Sequence, residues 1–181
     1  MTSKPVPSIA IRTAVPGDLP AITAIYRPAV VAGTASFELE APDVAEMARR
    51  YEAIVGAGFP YLVAQVDGAV QGYAYVSQYR ARPAYRFSVE NSVYVAPDGQ
   101  GGGVGRALLA ELIARCTGQG FRLMIAIVGD PPNQAASIGL HRALGFAYSG
   151  TIRAVGYKHG RWLDSEIMQL PLGPGDTTPP A

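Results

Sequence analysis

ENSVYVAPDGQGGGVGRALL, residues 90–109, leads from an apolar strand through a turn crowded with glycine into a helix. We predict the strand over 88–95 and the helix over 104–117, with five glycines between Gly99 and Gly105. Glycine allows the backbone to adopt positive φ and to approach a ligand closely. The N–H groups at the start of a helix favour an anion. The stretch therefore predicts a phosphate-binding turn, with a glycine-rich connection that binds no ligand as the alternative.

The spacing of these glycines narrows the class of phosphate ligand. In the dinucleotide fingerprint G-x-G-x-x-G the third glycine would fall on Val104, Arg106 or Leu108, so that pattern fails. A nucleoside triphosphate loop requires Gly-Lys-Ser/Thr, and here the last glycine precedes an arginine. The pattern that fits is Q-x-x-G-x-G at residues 100–105. It resembles the acetyl-CoA pyrophosphate loop of the GNAT acyltransferases.

Composition restricts the class of protein. The 181 residues are 49% hydrophobic and 16% charged, as in a soluble globular domain, and the net charge of +1 argues against nucleic acid or a membrane surface as a partner. No apolar run approaches the length of a membrane span, and the first residues lack the apolar segment of a signal peptide. The one cysteine, Cys116, excludes an internal disulfide and is expected to be a buried structural thiol. We therefore expect a cytoplasmic protein.

The order of elements predicts a single α/β (α+β) domain over 9–172, between a flexible arm, 1–8, and a disordered C-terminal tail, 173–181. Asp18 is expected to cap the first helix, Asp67-Gly68 to form a hairpin turn, and 156–160 to form a second turn. Hydrophobic periodicity predicts strands near 9–13, 61–66, 69–79, 88–95, 123–128, 146–152 and 164–170, and helices near 19–31, 43–55, 104–117 and 135–144.

Four further motifs lie in order along the chain. They are T-A-S-F-E at 34–38, A-Y-R at 84–86, N-x-x-x-S-x-x-L-H-x-x-x-G-F at 133–146 and G-Y-K-H-G-R-W-L-D at 156–164. Together with residues 90–109 they resemble the phosphinothricin / methionine sulfoximine N-acetyltransferases, over about residues 9–172. The resemblance implies the GNAT fold, a central mixed, mostly antiparallel twisted sheet flanked by about four helices. It also implies a homodimer that moves the acetyl group of acetyl-CoA to the α-amino group of a small amino acid or analogue.

The resemblance assigns the acetyl-CoA site to the glycine turn and the strand before it. The pyrophosphate is expected on the N–H groups of 100–105, and a backbone N–H near Val95 is expected to polarise the thioester carbonyl. Gly101 stands where other members carry a basic residue, with Arg106 nearby. The residues assigned to acetyl-CoA are Val93, Tyr94, Val95, Gln100, Gly101, Gly102, Gly103, Val104, Gly105, Arg106, Asn133 and Ser137.

Two residues are candidates for the chemistry. Glu90 lies near the start of an apolar strand, where desolvation would raise its pKa and make it a better base; the alternative is a glutamate in water at a sheet edge. The matching glutamate is the general base of the resembled family, acting through water. Ser137 and His141 share a helix face, and the resemblance places the histidine near the reaction centre; the alternative is a histidine bonded to a backbone carbonyl. The helix holds no tyrosine, which many GNAT enzymes use as the acid.

The acceptor site is expected among aromatic and basic residues. Arginine matches the carboxylate of an amino acid, and Arg82 with Tyr85 fits the family's substrate loop best; a solvated basic loop is the alternative. Phe37 is either a wall of the acceptor pocket or a core residue. His159 is either a substrate contact or an exposed turn residue.

Other functions compete with this one. Acetylation of another small amine or of a protein N-terminus predicts a more open acidic groove, which the Arg/Tyr loop argues against. A CoA-binding sensor without turnover predicts no role for Glu90 beyond binding. Arginines interleaved with aromatic residues also occur in single-strand nucleic-acid sites, but this patch is small and the net charge low. We expect no metal.

Overall fold

The computed structural model describes residues 8–180, and the expected arm over 1–8 lies almost entirely outside them. Within that range the chain forms seven strands and four α-helices, and none of these helices is long and apolar enough to cross a membrane. In chain order the elements are β1 Ile9–Thr13, α1 Leu19–Val31, α2 Val44–Gly56, β2 Tyr61–Val66, β3 Ala69–Gln78, β4 Ser88–Val95, α3 Val104–Gly118, β5 Leu123–Gly129, α4 Ala135–Ala143, β6 Ala147–Lys158 and β7 Arg161–Pro171.

The strands form one sheet in the order β1-β2-β3-β4-β5-β7-β6. Every neighbouring pair is antiparallel except β4 and β5, which run parallel. The predicted mixed, mostly antiparallel sheet with four helices is therefore confirmed. The parallel pairing covers three residues of each strand and ends at Glu90 opposite Ile125. Beyond that pair β4 and β5 part, and this opening positions the site.

Apolar side chains cover both faces of the sheet. On one face α3 packs its buried leucines, Leu108, Leu109 and Leu112, against β2 to β5 and β7. On the other face α1 and α2 cover a cluster of tyrosines and aliphatic residues. Helix α3 approaches the sheet closely at Gly72, where a Cβ would lie 2.9 Å from Val104 and 3.0 Å from the Tyr94 carbonyl oxygen. The absent side chain there lets the first turn of α3 sit directly against β3. Cys116 is fully buried as predicted, and burial raises the pKa of its thiol to about 12.

The structure corrects the predicted end of the sheet. The predicted turn over 156–160 is wrong, because β6 continues to Lys158 and only His159 and Gly160 turn, with φ of 50° and 75°. Gly156 pairs with Leu163 inside the sheet. Residue 156 is a glycine because another side chain packs closely against it, as described below, and not because the chain turns there. The register of β6 is irregular just before it, between Ile152 and Gly156, which accounts for the turn-like composition of this segment.

Asp18 has a different role from the predicted one. Helix α1 begins after it, but its carboxylate makes no bond to the first turn of that helix. The carboxylate accepts two hydrogen bonds of 2.7 Å from Arg12 and one of 2.8 Å from the Val15 N–H. Hydrogen bonding by Arg12 lowers the pKa of Asp18. This buried ion pair closes the connection from β1 to α1, far from the site.

The tail that we predict to be disordered, 173–181, has turns at 173–176 and a bend at 177–178. Arg122 donates hydrogen bonds to the carbonyl oxygens of Gly175 and Pro179, at 3.2 and 3.1 Å.

Candidate active site

The parting of β4 and β5 opens into two adjoining spaces. One is a cavity of about 320 Å³ lined by Glu90–Tyr94, by Ala126–Gly129 and by residues of α4. The other is a groove of about 670 Å³ that runs past the glycine turn to α1. Five residues line both spaces, so the groove opens into the cavity: Ala35, Val93, Tyr94, Gln134 and Ser137. A long ligand in the groove can therefore present its end to a second molecule in the cavity.

The glycine turn has the geometry of an anion site. After β4 a short 3-10 helix, Pro97–Gly99, leads into residues 100–103, where Gly101 and Gly103 have φ of 75° and 87°. Helix α3 then begins with free N–H groups, and the Arg106 side chain lines the same groove. These features fit the pyrophosphate of a CoA ligand. Of the residues predicted to bind acetyl-CoA, Gly102 alone lines neither space.

Glu90 occupies the point where the two parallel strands part. It is the last residue of β4 paired with β5, it pairs with Ser77 of β3 on its other side, and it lines the cavity. Burial raises the pKa of its carboxyl group, and no cation within residues 8–180 contributes to that shift. A carboxylate that is partly desolvated and lacks a cationic partner has a higher proton affinity than one in water. Glu90 therefore lines the cavity with a raised proton affinity, which is the property that the predicted base requires.

His141 is buried between two hydrogen-bond acceptors. Its Nδ1 lies 2.8 Å from the Ser137 carbonyl oxygen and its Nε2 lies 3.0 Å from the Asn91 Oδ1. The Asn91 amide donates to the Ile125 carbonyl oxygen at 3.0 Å, which turns its own oxygen toward the ring. Burial lowers the pKa of His141. Both ring nitrogens thus face protein oxygens, and a neutral imidazole, which carries one N–H, donates a hydrogen bond to one of them.

The acceptor side of the cavity is bounded by Phe37, which lies in a slot between two glycines. A Cβ on Gly129 would lie 2.5 Å from the Phe37 ring, and so would a Cβ on Gly156. Glu90, which we also predict to contact the acceptor, lines the cavity, but Arg82, Tyr85 and His159 do not. Arg82 and Tyr85 lie in the exposed connection after β3, and His159 lies in the exposed turn after β6.

Tyr94 contributes an apolar wall to both spaces. Its ring stacks on Tyr73 with centroids 5.3 Å apart and meets the edge of Tyr26 at 4.9 Å. Burial raises the pKa of its hydroxyl well above the ordinary value, so the group stays neutral.

Three residues that shape the cavity were missed by the sequence analysis. Asn91 links β4 to β5 and to His141, Gly129 forms half of the Phe37 slot, and Asp130 binds the segment that carries Phe37. For Gly129 and Asp130 the sequence does contain a signal, the run G-D-P-P-N directly after a buried strand. Asn91 had no such signal, because its contacts come from residues distant in sequence.

Parallel strands that part beside a phosphate-binding turn are the arrangement of an acyl-CoA-dependent acyltransferase. The family model described as acetyltransferase (GNAT) domain matches residues 11–167. The chain therefore belongs to the GNAT acetyltransferase family, and the predictions of this fold and of an acetyltransferase are confirmed.

Relatives place the chain more narrowly within the family. It is 57% identical to the phosphinothricin N-acetyltransferase of Alcaligenes faecalis over 90% of this chain and 82% of that protein. It is 44% identical to the L-methionine sulfoximine/L-methionine sulfone acetyltransferase of Pseudomonas paraeruginosa over 95% of this chain and 99% of that protein. Among solved structures, a phosphinothricin acetyltransferase from Sinorhizobium meliloti in complex with AcCoA superimposes with a TM-score of 0.92, at 52% identity, over 96% of this chain and 93% of that one.

Proposed function

We propose that this protein transfers the acetyl group of acetyl-CoA to the α-amino group of a small amino acid or analogue of the methionine sulfoximine and phosphinothricin type. One observation carries the proposal: Glu90 lines the cavity that the groove from the glycine turn enters, and no cation among residues 8–180 shifts its pKa. The names of the relatives support the acceptor class.

The donor is proposed to lie along the groove. Backbone N–H groups of 100–105 and the side chain of Arg106 hold the pyrophosphate, while the pantetheine arm runs past Asn133 and Ser137 toward the cavity. Residues 93–95 of β4 lie beyond the last pairing with β5, so the backbone groups on that side are free to bind the arm and the thioester oxygen. An N–H aimed at that oxygen stabilises the charge that develops on it.

The acceptor is proposed to lie in the cavity against Phe37. Its amine, already neutral, attacks the thioester carbonyl carbon; the new C–N bond forms, the C–S bond breaks, and the thiolate of CoA leaves. The attacking nitrogen then carries two protons: Glu90 takes one of them, directly or through water, and the other stays on the amide, while the thiolate is protonated from solvent. Holding both molecules side by side supplies much of the rate by proximity. The proposal that Arg82, Tyr85 and His159 contact the acceptor gains no support from their positions.

A panel assay of CoA release tests the function. We expect methionine sulfoximine, methionine sulfone and phosphinothricin to release CoA from acetyl-CoA well above the rate with no amine. If another small amine or a peptide N-terminus reacts while these three stay at background, the acceptor class is wrong. If acetyl-CoA binds tightly and no amine releases CoA, the protein is a sensor and not an enzyme.

We further propose a homodimer, as in the resembled family. Large apolar side chains project into solvent from β6 and β7, among them Trp162 at 65% exposure and Tyr157 at 58%. A contiguous exposed apolar face of this kind is typical of a protein interface. The single buried cysteine also supports a reducing compartment such as the cytoplasm.

Light scattering tests the dimer. We expect twice the mass of one chain for the protein as it stands and a shift toward the mass of one chain for Trp162→Glu, because a buried charge without a partner is costly. Leu39→Glu is the control, since Leu39 is 72% exposed and lies outside β6 and β7. A single-chain mass for the unaltered protein at micromolar concentration would refute the dimer.

A further inference from the structure

Residues 34–38 carry Phe37 past the cavity without a helix or strand of their own. Three of them, Ala35, Ser36 and Phe37, line the cavity. A segment with no regular structure has no ladder of backbone hydrogen bonds to hold it, so its position depends on contacts with other elements. Those contacts come from parts of the chain that are distant in sequence.

Asp130 anchors the start of the segment. It follows β5, it is 3% exposed, and its carboxylate accepts a hydrogen bond of 2.6 Å from the Thr34 hydroxyl. The same carboxylate accepts a hydrogen bond of 2.8 Å from the Asn133 amide and forms an ion pair with the Arg161 guanidinium. The Asp130 N–H donates to the Asp164 carbonyl oxygen at 2.8 Å. One buried side chain thus joins the Phe37 segment, the end of β5, the turn before α4 and the start of β7.

The rest of the segment is held in the same way. The Lys158 ammonium donates to the Ser36 carbonyl oxygen at 2.7 Å, and the Tyr26 and Ser36 hydroxyls lie 2.7 Å apart. Glu38 binds Arg50 at the far end, at 2.6 Å. Between these anchors the Phe37 ring fills the slot between Gly129 and Gly156. The ring therefore has little freedom to move into or out of the cavity.

We propose that Asp130 is a positioning residue for the acceptor: through Thr34 it holds segment 34–38 so that Phe37 presents a preformed wall to the acceptor. This inference rests on the proposed function, in which Phe37 contacts the acceptor and not the donor. A wall that is ordered before binding spares the acceptor the entropy cost of ordering it. Loosening the anchor therefore weakens acceptor binding while the glycine turn keeps its hold on the donor.

A pair of substitutions at Thr34 separates the hydroxyl from the side-chain shape. Thr34→Val keeps the shape and removes the bond to Asp130, and we expect it to raise KM for the acceptor about five- to tenfold, the loss of one buried hydrogen bond. Thr34→Ser keeps the hydroxyl and is expected to stay close to the unaltered protein. KM for acetyl-CoA is expected to change little in both. Asp130→Asn is expected to raise KM for the acceptor at least as much as Thr34→Val.

Asp18→Asn is the structural control, because Asp18 is also a buried carboxylate paired with an arginine but lines neither the cavity nor the groove. It is expected to lower the thermal midpoint without changing either KM. If Thr34→Val and Asp130→Asn behave like Asp18→Asn, Asp130 serves stability alone and the inference is overturned. Absence of turnover by the unaltered protein with every amine of the panel would instead overturn the proposed function.

The glycine slot provides an independent second test. Gly156→Ala places a methyl group against the Phe37 ring, and we expect it to raise KM for the acceptor; adding Phe37→Leu is expected to reverse part of the loss because the smaller side chain clears the methyl group. Gly139→Ala is the matched control, since Gly139 is exposed on α4 and a Cβ there meets nothing within 4 Å. Equal KM values for the acceptor in Gly156→Ala and Gly139→Ala would contradict a preformed Phe37 wall.

Discussion

Glu90→Gln is expected to lower kcat by about 10²–10⁴-fold, the range found when a general base is lost. The substitution keeps the shape of the side chain at the point where β4 and β5 part, and removes only its ability to accept the amine proton. KM for acetyl-CoA is expected to stay nearly constant, because Glu90 lines the cavity and not the groove around the glycine turn. Steady-state kinetics with both substrates varied measures the two effects separately.

The pH dependence of kcat/KM in the unaltered protein and in Glu90→Gln gives a second test. Burial raises the pKa of Glu90, so kcat/KM of the unaltered protein should fall with decreasing pH at a value above that of an ordinary carboxyl group. Glu90→Gln should lack this fall. The ionised carboxylate that activity requires is the form that destabilises the fold. Because the pKa of Glu90 is raised in the folded protein, the free energy of unfolding decreases as the pH rises through that pKa. Glu90→Gln should therefore have the higher thermal midpoint at neutral pH, and the difference should vanish in acid.

Glu166→Gln is the matched control for this experiment. Glu166 lies on β7 with one carboxylate oxygen buried, but it lines neither the cavity nor the groove. Its substitution is expected to leave kcat unchanged. A kcat for Glu90→Gln within a few-fold of the unaltered value, or a pH profile identical to it, would remove Glu90 from the proton transfer.

Gly103→Ala is expected to raise KM for acetyl-CoA by about 10- to 100-fold, which is the loss of one or two hydrogen bonds to a charged group. Gly103 has φ of 87° directly before α3, a conformation that costs an L-residue about 1–2 kcal/mol. Alanine relieves that strain by rotating the backbone, which turns the N–H groups of the turn away from the pyrophosphate. KM for the acceptor is expected to change little, since Gly103 does not line the cavity.

Gly58→Ala separates backbone strain from ligand binding. Gly58 has φ of 83° after α2, a Cβ there meets nothing within 4 Å, and the residue lines neither space. Both alanine variants should lose similar thermal stability, while only Gly103→Ala should lose affinity for acetyl-CoA, measured by calorimetry. Equal affinity in the two variants would show that the turn at 100–105 does not hold the pyrophosphate.

The sequence predicted well whatever depends on neighbouring residues. Strand β4 has the predicted bounds, and α3 begins at the predicted Val104, because apolar periodicity, glycine and helix start are contiguous there. The prediction of a turn over 156–160 was wrong. Glycine is typical of turns, but Gly156 lies in a strand. Its glycine makes room for Phe37, a residue more than 100 positions earlier, and no local pattern contains that contact.

The sequence by itself determined the family of this protein and predicted where the donor binds, since a strand, a glycine turn and a helix that follow one another obey local rules. Only the tertiary structure decided the acceptor side. It brought residues 34–38 against Gly129, Asp130 and Gly156, and it left Arg82, Tyr85 and His159 outside the cavity. It also placed both nitrogens of His141 within hydrogen-bond distance of protein oxygens. The physical reason is that these positions follow from packing and hydrogen bonds between distant segments, which residue types and their spacing do not specify.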